Sequence, residues 1–107
     1  MGYDLHITRA NFWAMNAGSW IDPAEWLIAV HEDLELQLIS ESETYPAMWL
    51  RDYCNSEVCF EWIEGNVFLK NPTKAAIIKM EAIAGHLQAK VQGDDGEFYR
   101  DGDVVTD

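Results

Sequence analysis

Residues 58–69 read VCFEWIEGNVFL, and this stretch decides the fold. Val58, Phe60 and Trp62 alternate with the residues between them, a period of two that is typical of a strand with one buried face. Gly65-Asn66 is a turn pair, and a second apolar run follows it directly. The stretch therefore predicts a β-hairpin whose Trp62 side chain points inward.

The N-terminal part predicts a strand followed by an irregular segment. Residues 3–8 alternate between apolar and polar side chains, which indicates a first strand with His6 half-exposed. Residues 10–20 contain Gly18 and two asparagines together with three large aromatic residues. We interpret them as a loop held to the body of the protein by those aromatic side chains, which are Phe12, Trp13 and Trp20.

Asp22-Pro23-Ala24-Glu25 has the composition of a helix start. Asp22 is a candidate N-cap, proline suits the first helical position, and Glu25 completes a capping box. We expect this helix to end near Asp33, where charges accumulate. Residues 36–40 fit either a strand or a frayed helix end, and residues 48–50 fit a short strand.

A second helix is predicted after Asn71-Pro72, by the same cap-then-proline pattern. Gly85 lies within it and is expected to allow close packing against the sheet. A strand at Val91, a turn at 93–96 and a return strand from Phe98 follow. The helix has one apolar stripe at spacings of three and four, formed by Ala76, Ile77, Met80, Ile83, Ala84 and Leu87.

This order of elements predicts an α+β fold, a mainly antiparallel sheet with two helices packed on one face. The length of 107 residues suits one domain spanning 1–107. Residues 101–107 are polar and are interpreted as a tail that need not be ordered.

The composition is strongly acidic. Nineteen acids against seven bases give a formal net charge of −12. Nucleic acids and anionic membranes both require a basic surface, so we expect neither as a partner. The excess suits a basic protein or a cation, although solubility alone would also account for it. No apolar segment resembles a secretory signal or a membrane span, which favours a cytoplasmic location with reduced thiols.

None of the motifs indicates a catalytic or metal site. His6-Ile7-Thr8 resembles half of the two-histidine phosphoesterase signature, and neither His31 nor His86 supplies the second half. Cys54 and Cys59 would need two further ligands to hold zinc. The acidic turns at 93–103 lack EF-hand spacing. We therefore predict no catalytic residues, no metal and no cofactor, and the balance leans away from an enzyme.

Carboxylates and large aromatic side chains are interleaved in residues 32–64, which hold nine acids and one base, Arg51. Aromatic anchors flanked by charges are typical of a surface that binds a basic protein. The alternative is that the aromatic residues form core and the acids a solvated face. We predict a partner-binding surface formed by Glu41, Glu43, Tyr45, Trp49, Asp52, Tyr53, Glu57 and Glu61.

Three stretches resemble small stand-alone bacterial proteins of unassigned function: residues 2–9 (GYDLHITR), Trp62-x-x-Gly65 with Lys70-Asn71-Pro72, and Lys79-Met80 with residues 93–99 (GDDGEFY). In size, acidity and aromatic content the chain is also similar to immunity proteins of bacterial contact-dependent and polymorphic toxin systems. That resemblance implies a protein that binds and occludes a cognate toxin, commonly a basic nuclease.

Two other functions remain open at this point. One is a small enzyme or ligand-binding domain with a pocket between helix and sheet, in which His6, His31 or Cys54 would matter. The other is homodimerisation through the exposed edge of the hairpin, so the chain is expected to be a monomer or a homodimer.

Overall fold

A computed structural model describes residues 4–50 and 58–105, which form two helices and eight strands. The helices are α1 (Pro23–Glu32) and α2 (Lys74–His86). The strands are β1 (Asp4–Thr8), β2 (Leu36–Leu38), β3 (Ala47–Trp49), β4 (Cys59–Ile63), β5 (Asn66–Lys70), β6 (Lys90–Gly93), β7 (Tyr99–Arg100) and β8 (Asp103–Val104).

Six of these strands form one antiparallel sheet in the order β2-β3-β4-β5-β1-β6, and β7 and β8 form a separate hairpin. The N-terminal strand β1 therefore lies inside the sheet, between β5 and β6. The predicted α+β class and mainly antiparallel sheet are confirmed. The ambiguous residues 36–40 contain a strand, β2, rather than a helix end.

The two faces of the sheet differ in what covers them. Leu5 pairs with Leu69 and Ile7 with Val67, and all four side chains lie in the core that both helices cover. The alternate residues of the same strands point to the opposite face, which carries neither of the two described helices. On this helix-free face, His6 is the cross-strand neighbour of Phe68 on one side and of Gln92 on the other.

Helix α1 begins as the sequence predicts. The Asp22 carboxylate accepts a hydrogen bond from the backbone N–H of Ala24, and the Glu25 side chain accepts one from the backbone N–H of Asp22. This capping box satisfies N–H groups that the first helical turn leaves without intrahelical partners. The helix ends at Glu32, beside the predicted end at Asp33.

The N-cap of helix α2 lies two residues later than predicted. The N-cap is Thr73, whose hydroxyl accepts a hydrogen bond from the N–H of Ala76, whereas Asn71 has a positive φ of 49° and lies outside the helix. The prediction for Gly85 is wrong: it is exposed, and a Cβ added there would meet nothing within 4 Å. The apolar stripe itself is confirmed, because its members lie in or against the core.

The β4–β5 hairpin has its turn one residue earlier than predicted. Ile63 pairs with Asn66, so the two turn residues are Glu64 and Gly65, with positive φ values of 47° and 87°. Positive φ at both positions is the signature of a type I′ turn, which matches the twist of the strands. Asn66 is therefore a strand residue, and its side chain is buried on the helix-free face.

The C-terminal residues are more structured than the sequence suggests. Asp103–Val104 pairs with β7, and the Val105 N–H donates to the Phe98 carbonyl over 2.7 Å. Glu81 of α2 accepts the backbone N–H groups of Asp101 and Gly102. The described part of the predicted tail thus forms the turn and the second strand of the β7–β8 hairpin, and hydrogen bonds to Glu81 hold this turn against α2. Within residues 4–50 and 58–105, no helix has the length and apolar character needed to cross a bilayer.

Candidate functional site

The loop at residues 9–20 crosses the helix-free face above β1. The Trp13 indole lies on the His6 imidazole, with ring centroids 3.8 Å apart and planes 6° from parallel. The Trp13 backbone N–H donates to the Gln92 side chain over 2.7 Å, and its indole N–H donates to the Asp94 carbonyl over 3.1 Å. The prediction of a loop held to the body by its aromatic residues is confirmed.

Buried amide side chains fix the rest of this loop. Gln92 is 1% exposed, and its amide nitrogen donates to the carbonyls of Asn11 and Gly96. The Asn66 amide nitrogen donates to the Trp13 carbonyl over 2.9 Å. A loop of 12 residues without secondary structure thus obtains partners for its backbone from side chains of β5 and β6.

His6 joins the loop and the sheet to the turn after β6. Its Nε2 lies 2.9 Å from Oδ1 of Asp94, whose Oδ2 accepts the backbone N–H of Asp4 over 3.1 Å. The His6 side chain is 9% exposed, whereas that of Asp94 is 37% exposed. The prediction of a half-exposed His6 is wrong, because the Trp13 indole covers its ring.

A pocket of about 430 Å³ opens beside this pair. It is called the His6 pocket below and is lined by Asp4, His6, Trp13, Ala14, Asn16, Ile63, Glu64, Asn66, Phe68 and Asp94. Three carboxylates and two aromatic rings face it, and none of its described lining residues is a lysine or an arginine. The pocket is therefore acidic and aromatic, the character that the sequence predicts for residues 32–64, but its residues come mostly from other parts of the chain.

The lining holds one His–Asp pair and two further carboxylates. A His–Asp pair resembles a general base with its orienting group, but no serine, cysteine or threonine is among the described lining residues to serve as a nucleophile. In the described part of the chain, no three His, Cys, Asp or Glu side chains are grouped so that they could hold a metal ion.

Trp49 does not lie where the predicted partner-binding surface requires it. It is 8% exposed and belongs to the core, and its indole N–H donates to Glu35 over 3.1 Å. Lys79 also donates to Glu35, over 2.9 Å, and to Asp33, over 2.7 Å. Burial alone would lower the pKa of Lys79, but these two carboxylates raise it above its ordinary value. Trp49 is a structural residue, and its assignment as a partner-filling anchor is corrected.

Tyr45 is half-buried and also packs against the core. Its ring meets that of Trp62 edge-on at 6.1 Å, and its backbone carbonyl accepts the Trp26 indole N–H. The Trp62 indole N–H donates to the Ile21 carbonyl over 2.8 Å, so Trp62 points toward the helix side as expected.

The acidic residues of the predicted surface divide into three groups. Glu41 and Glu43 are exposed in the β2–β3 loop. Glu61 is half-buried on the helix-free face, where it accepts a hydrogen bond from Thr44 over 2.9 Å. The remaining members of the predicted surface lie outside the described residues: Asp52, Tyr53 and Glu57.

The other candidate residues lie apart from the His6 pocket. His31 is exposed and lines a groove of about 440 Å³ between α1 and β2, together with Glu41. His86 is exposed at the end of α2. Cys59 is half-buried on the helix-free face, and Cys54 lies outside the described residues.

Sequence reasoning found His6 but not its companions in the pocket. Asp94 is 88 positions from His6 in sequence, and Trp13 and Asn66 come from two further segments. One signal was present: alternation in β1 and β5 places Asp4, His6 and Phe68 on the face opposite the apolar residues. Comparisons of the chain with protein-family models, with curated proteins and with solved structures find no match, so the site is assigned from its own geometry.

Proposed function

We propose that this protein is an immunity-type binding module that occludes a basic toxin domain. The observation that carries the proposal is the His6 pocket, a concave site on the helix-free face with three carboxylates and no lysine or arginine among its described lining residues. Apolar and aromatic surface in a concave site supplies anchoring, and unpaired charge supplies steering and selectivity.

Two basic residues of the fold, Arg9 and Lys79, are engaged with the protein's own acids. Arg9 binds both oxygens of Glu25 and also donates to the Leu87 carbonyl. Lys79 is held by Asp33 and Glu35, as described above. A surface of this kind offers an approaching basic protein an excess of carboxylates and few competing cations, which favours fast and salt-sensitive association.

The residues that would make the contact differ from those predicted from the sequence. Asp4, Glu64 and Asp94 form the acidic wall of the pocket, and Glu61 lies on the same face. Trp13 and Phe68 replace Trp49 as the aromatic contacts. The exposed Glu41 and Glu43 remain candidates for steering, and occlusion remains the proposed mode of inhibition.

Co-expression with the neighbouring reading frame tests the function. We expect the neighbour to be toxic alone and harmless beside this protein, and the purified pair to co-elute with an affinity that falls as salt rises. A neighbour that is harmless alone, or one that stays toxic in the presence of this protein, contradicts the proposal.

A ligand-binding domain is the second candidate, and the size of the His6 pocket favours it. Sites for small molecules typically measure about 300–1,000 Å³, and this pocket falls within that range. It lies between the sheet and the loop at 9–20 rather than between helix and sheet. A free amine or guanidine compound that binds there, in a protein that does not neutralise the neighbour's product, would favour this candidate.

A further inference from the structure

The side-chain donors around the His6 pocket are engaged within the protein. The Asn16 amide nitrogen donates to the Glu64 carbonyl over 2.7 Å and to the Asn66 side-chain oxygen over 3.2 Å. The Asn66 amide nitrogen and the Trp13 indole N–H donate to backbone carbonyls. The lining therefore offers a ligand mostly oxygen acceptors, and a matching ligand must be rich in hydrogen-bond donors.

The carboxylates of the pocket also lack compensating charge. Within residues 4–50 and 58–105, no lysine or arginine forms an ion pair with Asp4 or Glu64, and Asp94 is paired only with His6. Lys70 is the cross-strand neighbour of Asp4, but it is exposed and does not line the pocket. Even a protonated His6 would balance only one of the three carboxylates, so the ligand must be cationic.

The aromatic part of the lining distinguishes between the two common cations of proteins. Phe68 lies beside His6 in the sheet, with ring centroids 6.5 Å apart, and Trp13 lies above His6. A guanidinium is planar, carries five N–H donors, pairs with carboxylates through two parallel bonds and stacks on aromatic faces. An ammonium is a compact and strongly hydrated point charge that uses such a lining less well.

We infer that the His6 pocket receives the guanidinium group of an arginine side chain presented by the partner. The inference rests on the proposed function, which it deepens by assigning the pocket to one residue type of the basic protein. Asp4 of β1 and Asp94 of the turn after β6 line this pocket together with Glu64 of the β4–β5 turn.

The test uses the whole protein and a small probe, without the partner. N-acetyl-arginine amide is titrated into labelled protein, and the indole N–H resonance of Trp13 is followed by NMR, its assignment fixed by the Trp13→Phe variant. We expect a saturating shift at millimolar concentration, and no comparable shift with N-acetyl-citrulline amide, which has nearly the same shape without the charge.

Two variants locate the binding. Glu64→Gln removes a pocket carboxylate and should weaken arginine binding about tenfold. Glu32→Gln removes one charge from the exposed end of α1, on the helix side of the sheet, and should change binding less than about twofold. Both substitutions are at exposed positions, so unchanged spectra elsewhere will show that the fold is intact.

Three results would overturn the inference: equal shifts with the citrulline compound, tighter binding of N-acetyl-lysine amide, or equal weakening by Glu64→Gln and Glu32→Gln. None of them bears on whether the chain neutralises its neighbour, which co-expression tests separately. If the protein protects against the toxin but does not bind the arginine probe, the proposed function stands and the assignment of the His6 pocket to an arginine is wrong.

Discussion

The imidazole of His6 lies flat against the indole of Trp13 at 3.8 Å. This contact joins a strand inside the sheet to a loop that has no secondary structure of its own. The same imidazole binds Asp94, so three separate segments meet at one side chain. The wall of the His6 pocket therefore depends on His6.

Replacing His6 by alanine should destabilise the protein. The change removes a stacked aromatic contact and a hydrogen bond from a nearly buried position, and we expect a loss of about 2–3 kcal/mol in the free energy of unfolding. Urea unfolding followed by circular dichroism measures it. His86→Ala, at the exposed end of α2, is the matched control and should stay within about 0.5 kcal/mol of wild type. A His6→Ala loss as small as that expected for the control would mean that the His6 contacts contribute little to stability.

Three glycines should respond to alanine in different ways. A Cβ at Gly65 would lie 2.3 Å from Cγ of Trp20, and its φ is 87°, so Gly65→Ala should cost more than about 2 kcal/mol. Gly18 has a φ of 81° but open surroundings, and its substitution should cost about 1 kcal/mol from backbone strain alone. Gly85→Ala should stabilise α2 by about 0.5–1 kcal/mol. Thermal unfolding of the three variants tests this order, and a destabilising Gly85→Ala would contradict it.

Because of the ion pair between Arg9 and Glu25, the free energy of unfolding should depend on pH in the acidic range. The hydrogen bond from Arg9 lowers the pKa of Glu25 from 4.5 to about 2. A carboxylate whose pKa is depressed by folding stabilises the protein above its unfolded pKa, and this contribution is lost as the pH falls toward 2. We expect Glu25→Gln to be less stable than wild type at neutral pH, with a difference that shrinks between pH 4.5 and 2.

Arg9→Met supplies the control for that experiment. In its background, Glu25→Gln should produce a smaller pH-dependent difference in this range, because only the hydrogen bond from the Asp22 backbone N–H still lowers the pKa of Glu25. A stability difference that remains constant from neutral pH down to 2 would show that the ion pair does not form in solution.

Trp49 should behave as a core residue. Trp49→Ala leaves a cavity and should cost about 3–5 kcal/mol of stability. Trp49→Phe keeps most of the buried ring and loses only the N–H that Glu35 accepts, so it should leave affinity for a partner nearly unchanged. A Trp49→Phe variant that folds normally but fails to bind its partner would restore Trp49 to the interface.

Local signals in the sequence predicted most of the elements. The capping box at Asp22 and the alternation in β4 depend on residues close together in the chain, and both are confirmed. The turn lies at Glu64-Gly65, one residue earlier than predicted, because Glu64 has a positive φ although it is not a glycine. The sequence showed that the chain is acidic and rich in aromatic residues, but it did not show where in the fold these residues come together.

The pocket could not be predicted because its contacts are long-range. Its two sides meet only because β1 lies between β5 and β6, and no short stretch of sequence specifies that order. Trp49 was misplaced for a related reason: alternation in β3 puts it on one face of the sheet, and only the packing of the whole core decides that this face is buried.

The most direct test of the binding surface is the dissociation constant for the neighbour's product, measured with Glu64→Lys and Glu32→Lys. The two variants change net charge equally at exposed positions, and they lie on opposite faces of the sheet. We expect Glu64→Lys to weaken binding by about a hundredfold or more, and Glu32→Lys by no more than about threefold. Equal weakening would mean that net charge alone, and not the His6 pocket, determines the affinity.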